Sequence, residues 1–142
     1  MKKVVLSFLV VLSILALFTA NAGTPSKSKT TAVANAAKVE VYYFHFTRRC
    51  VTCQAVETET KAAINALYPV QAKKGLVTFK TVNLEEKSSL ALAKKCKAEG
   101  QSLLVISGNE RYDLTDQGFM YAKSNPEKLK AELKKTIDPL IK

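Results

Sequence analysis

Cys50 and Cys53 stand with two residues between them, and they are the part of the sequence best suited to chemistry. A C-x-x-C pair can cycle between dithiol and disulfide, and two thiolates can also hold a soft metal ion. Arg48 and Arg49 come directly before the pair, and His45, the single histidine, lies just upstream. An exposed thiol beside two guanidinium groups ionises more readily than a free one, because the positive charge favours the thiolate. Cys50 is therefore the candidate nucleophile. Cys53, one helical turn further in and on the buried side, is the candidate resolving thiol that attacks a mixed disulfide. An inert structural bridge is the competing reading, but a disulfide closing so short a loop stabilises little.

Three other side chains have bland and chemical readings side by side. His45 is a proton acceptor or third metal ligand in the chemical reading. A lone histidine in an aromatic strand is more commonly packed and hydrogen-bonded. Cys96 shares an apolar helix side with Leu92 and Ala93, which suits a buried small hydrophobe. Tyr42 and Tyr43 read as sheet packing. In the metal alternative, Cys50 and Cys53 bind Cu(I) or Zn(II), joined by His45, Cys96 or a partner's ligand.

Positioning these groups falls to the flanking elements. Val39 to Phe46 is rich in Val, Tyr and Phe on both parities, the pattern of a central strand covered on both faces. From Cys50 the period changes: Cys53, Val56, Thr60, Ile64 and Leu67 recur at three- and four-residue intervals, an amphipathic helix ending near Tyr68-Pro69. The pair thus sits at a helix head, where free N–H groups and partial positive charge favour a thiolate. Leu76 to Leu84 is a second strand. Ser88-Ser89 can cap a helix running to Gly100, and Leu103 to Ile106 is a third strand. Gly108-Asn109 turns into a short strand, Glu110 to Leu114. Thr115 to Lys123 is irregular or a short helix. Asn125-Pro126-Glu127 starts a final helix with Leu129, Leu133, Ile137 and Leu140 as its buried stripe. The order β-α-β-α-β-β-α predicts an α/β fold: a mixed β-sheet with helices on both faces.

Residues 1–22 have the form of a secretory signal. Two lysines open it, Val4 to Phe18 is uncharged and almost wholly apolar, and Ala20-Asn21-Ala22 fits a peptidase site. A membrane span needs about 20 apolar residues, so stable insertion after cleavage is not expected. Residues 23–37 are small and polar, a flexible leader, and 38–142 form one domain. The mature chain, without Lys2 and Lys3, has 20 Lys and Arg against 12 Asp and Glu, a net charge of +8. The cations are dispersed, with no Arg-rich stripe interleaved with aromatics, so nucleic-acid binding is not expected. The location expected is periplasmic or extracellular, where a disulfide persists. The chain is expected to be a monomer without a cofactor: no flavin or nicotinamide fingerprint is present.

C-V-T-C after the first strand, V-N-L-E-E ending the second and L-L-V-I-S-G-N-E as a closing hairpin resemble the thioredoxin superfamily over about Val39 to Lys142. Y-Y-F-H-F-T-R-R-C-V-T-C and Y-A-K-S-N-P-E-K are similar to a family of small exported thioredoxin-like proteins labelled nitrophenyl compound nitroreductase subunit ArsF. The resemblance implies a thioredoxin-like fold and thiol–disulfide exchange with a protein partner through Cys50 and Cys53. Departures are plain. Arg49 stands where thioredoxins carry Trp, Val51-Thr52 where they carry Gly-Pro, and Phe44 where they carry a buried acid. Ser102 stands where they carry a cis-proline. By that analogy Ser102 faces Cys50 with a trans peptide bond, docks substrate less firmly and leaves the thiols open to a soft metal.

Overall fold

The computed structural model describes residues 38–141. The expected signal and leader, residues 1–37, lie outside the described residues, as does Lys142.

Strand β1, Val39–His45, is the centre of the molecule. Its β-branched and aromatic residues are nearly all buried, which fits a strand covered on both faces. Helix α1, Val51–Leu67, follows it, then a short helix α2, Pro69–Lys73, and strand β2, Val77–Asn83. A 3-10 turn, Lys87–Ser89, leads into α3, Leu90–Cys96. Strands β3, Ser102–Ser107, and β4, Glu110–Asp113, form a hairpin across Gly108. Helices α4, Thr115–Tyr121, and α5, Pro126–Ile137, close the chain with a 3-10 turn at Asp138–Leu140.

The sheet order is β2-β1-β3-β4. β1 pairs in parallel with β2, Val39 opposite Val77 and His45 opposite Asn83. It pairs antiparallel with β3, Tyr42 opposite Leu104, and β3 pairs antiparallel with β4. The architecture is thus an α/β arrangement of a four-stranded mixed sheet and helices, as the pattern of the sequence predicted.

Alternation along β1 divides the core. Val39, Val41 and Tyr43 join Leu103 and Val105 against Val56 and Ile64 of α1 and Leu129, Leu133 and Ile137 of α5. Tyr42, Phe44, Leu104 and Val82 pack on the opposite face with Ala93 and Cys96 of α3. Gly118 in α4 lets that helix approach the first cluster. A Cβ there would lie 3.1 Å from Leu103 Cδ2 and 3.3 Å from Val56 Cγ1.

α1 ends at Leu67 with Tyr68 as its C-cap, as expected, and Pro69 then occupies the first position of α2, where its fixed φ suits a helix and its missing N–H is no loss. Two local expectations change. Ser88-Ser89 make no side-chain cap, because a 3-10 turn precedes α3. α3 stops at Cys96 rather than near Gly100: Lys97 turns left-handed at φ 53° and closes the helix itself. Asn125, by contrast, caps α5 as its sequence suggests, accepting from Lys128 N at 3.2 Å.

Candidate dithiol site

The loop between β1 and α1 is held before it reaches the cysteines. Leu84 N donates to His45 O at 2.8 Å, extending the β1–β2 pairing. Thr47 N donates to the Glu85 carboxylate at 2.7 Å, and Asn83 Nδ2 donates to Thr47 Oγ1 at 2.9 Å. The bonds from Thr47 hold the Glu85 carboxyl below the ordinary carboxylate range. Cys50 therefore begins α1 from a fixed platform.

Cys50 is the N-cap of α1, with extended backbone and exposed side chain. Its carbonyl accepts the first helical bond, from Gln54 N at 3.0 Å. Its sulfur accepts from Cys53 N at 3.2 Å. That N–H is one of the donors a helix end leaves unpaired, so the sulfur takes the place usually filled by a Ser or Asp oxygen. No acidic residue stands in the first turn to offset the field there. Cys53 is only 5% exposed, and its Cα lies 5.1 Å from that of Cys50, within disulfide reach. The two sulfurs are joined at disulfide distance.

The other predicted side chains divide. Arg48 is exposed. Arg49 is ion-paired with Glu57 of α1, both side chains about 30% exposed, so a carboxylate offsets much of its charge before it reaches Cys50. His45 is buried; its Nδ1 donates to Phe46 O at 2.9 Å, and its ring lies 5.8 Å from that of Tyr43. Ser102 is buried at the start of β3 and its hydroxyl donates to Gly100 O at 3.1 Å. Cys96 packs under α3 on the face of Tyr42 and Phe44, where burial pushes its thiol upward from the ordinary value. Among the described residues no three His, Cys, Asp or Glu side chains converge as a metal site.

Two residues at the site escaped the sequence reading. Gln101, in the loop before β3, brings its side-chain oxygen to 3.9 Å from the Cys53 sulfur. Nothing in the local pattern marks it, since the contact spans 48 residues of chain. Glu57 carried a signal: it lies four residues after Cys53 and so shares its helix face. Near the Arg49–Glu57 pair, the buried Tyr43 hydroxyl has no hydrogen-bond partner. Burial pushes its phenol up to about 12, with Arg49 opposing and Glu57 adding to the rise. Phe46 and Val51, on either side of Cys50 in sequence, are 41% and 67% exposed.

No family model and no curated protein matches the chain. A solved chain described as "Structure of a malarial protein" is similar at 20% identity and a TM-score of 0.42, over 69% of this chain and 96% of that one. Among the described residues no helix is long and apolar enough to cross a membrane.

Proposed function

We propose that the chain is an exported thioredoxin-like thiol–disulfide oxidoreductase or electron carrier, acting on a protein partner through Cys50 and Cys53. The observation that carries the reading is the asymmetry of the pair. Cys50 is exposed at a helix N-cap with a backbone N–H on its sulfur, while Cys53 is buried one turn in. The first arrangement stabilises a thiolate that a partner can reach; the second keeps the other sulfur for an internal step. A sheet ordered β2-β1-β3-β4, with the pair between the central strand and its helix, also supports the thioredoxin-like comparison. Export through residues 1–22 would place the pair where disulfides persist.

In the reducing direction, the Cys50 thiolate attacks one sulfur of a partner disulfide. A Cys50–partner S–S bond forms, the partner's own S–S bond breaks, and the released partner thiolate takes a proton. Cys53 then loses its proton and attacks the Cys50 sulfur. The Cys50–Cys53 bond forms, the second partner thiolate leaves and is protonated, and two electrons have passed to the partner. Running the steps backwards oxidises a partner dithiol. Gln101 can accept the Cys53 S–H before the second step, but an amide is not a base, so that proton passes to solvent or to the leaving thiolate.

Trapping tests the assignment. Cys53→Ser should accumulate mixed disulfides through Cys50 that reductant releases, and Cys50→Ser should accumulate none. Equal trapping by both variants, or by neither, would contradict this division of roles between the two cysteines.

A further inference from the structure

Among the described residues, α3 spans only part of its face of the sheet, and a cavity lies beside it. α3 has seven residues and spans about 10 Å, whereas the seven residues of β1 span about 23 Å. α3 packs with Tyr42, Phe44, Leu104 and Val82, and the cavity beside it is lined by Lys38, Glu40 and the edge of Tyr42. The space there is about 640 Å3, within the usual range of small-molecule sites. Its apolar lining is the partly buried Leu92 and Ile106, with only the edges of the buried Tyr42 and Cys96. It lies at the end of β1 opposite the dithiol.

The rim is cationic. Lys38, Lys95, Lys97 and Arg111 face the cavity against two carboxylates, Glu40 and Glu110. Glu40 is bonded to both Lys38 and Lys80 at 3.2 Å, which holds its carboxyl below the ordinary range. Arg111 is engaged too: it donates to Cys96 O at 3.0 Å and pairs with Asp113 at 3.0 Å. Lys95 and Lys97 make no ion pair among the described residues, and the rim carries four cations against two carboxylates. Lys97 also holds a left-handed conformation that glycine adopts more easily. A lysine there supplies a side chain at a backbone cost.

We infer that this cavity binds a small amphipathic carboxylate, with its apolar body on Leu92 and Ile106 and its anionic end at Lys95 and Lys97. Charge complementarity argues against the chain's own residues 23–37 as the occupant, since they contain Lys27 and Lys29 and no acid.

The test uses the full chain with its disulfide formed, the probe 4-phenylbutyrate and its neutral counterpart 4-phenylbutyramide. Amide chemical shifts of Leu92, Lys97 and Ile106 should move saturably, and the carboxylate should bind at least about fivefold tighter than the amide. Lys97→Gly should raise the thermal midpoint and yet weaken the carboxylate at least about threefold, a combination that a purely structural lysine would not give. Lys95→Gln should weaken it without changing the midpoint. Equal affinity for carboxylate and amide would overturn the proposal, as would shifts centred on Cys50 or undiminished binding by both variants. Nuclear Overhauser contacts from Val33 to Leu92 or Ile106 in the probe-free chain would also overturn it, by seating the leader there.

Discussion

The backbone N–H of Cys53 points at the sulfur of Cys50, 3.2 Å away, and so makes one cysteine the helix cap of the other. Once the disulfide is reduced, that donor and the helix end behind it stabilise the Cys50 thiolate. In the reduced chain Cys50 should ionise near or below pH 7 and alkylate faster than Cys53 and Cys96. Thiolate absorbance followed against pH in Cys53→Ser measures this. A titration at the free-thiol value of about 8.5 would remove the cap's chemical role.

The Arg49–Glu57 pair sets how much of a guanidinium charge Cys50 feels. Glu57→Gln frees Arg49 and should lower the Cys50 pKa by a few tenths of a unit, raising the alkylation rate at pH 6 by about twofold. Arg49→Ala should shift the pKa the other way. Both side chains are partly exposed, so the change in folding stability should stay within about 1 kcal/mol. Alkylation rates at fixed pH, with thermal midpoints beside them, check both halves.

Cys96 should be a packing residue. Burial raises its thiol because desolvation penalises the thiolate, so the folded state prefers the protonated form. Stability from that preference is intact below the ordinary thiol value and declines as pH climbs through the raised one. Cys96→Ala should cost about 1–2 kcal/mol by leaving space beside Phe44 and Ala93, with thiol exchange unchanged. Chemical denaturation and an exchange assay on the same variant separate the two effects.

Gly118 sets how closely α4 packs on β3. Gly118→Val would push side-chain carbon into Leu103 and Val56 and should destabilise by about 1–3 kcal/mol, chiefly through overpacking. Thiol exchange per folded molecule should be unaffected. A denaturant midpoint unchanged from wild type would mean that α4 can move aside.

Much of this organisation is legible in the sequence. Val39 to Phe46 reads as a doubly covered strand because both parities are apolar; the strand is Val39–His45, buried at every position but the half-buried Glu40, and Phe46 falls outside it, exposed. The stripe Leu129, Leu133, Ile137 and Leu140 keeps helical spacing, and all four are buried. The illegible parts depend on contacts that cross the chain. Glu57 is written at helical distance from Cys53, yet its partner Arg49 lies outside the helix, so their pairing follows from how the loop enters α1. Gln101 reaches Cys53 from a loop 48 residues away. The end of α3 is hidden because a lysine takes the left-handed turn where glycine would have announced it.

The central claim is that Cys50–Cys53 is an exchangeable pair, and its reduction potential in the folded protein tests that most directly. Equilibration against glutathione or dithiothreitol buffers, with the fraction oxidised read by alkylation and mass, gives the value. A thiolate stabilised at the helix head should favour the reduced form and place the potential above about −270 mV, in the range of exchange proteins. A potential below about −300 mV, as in structural disulfides, would contradict the proposed function.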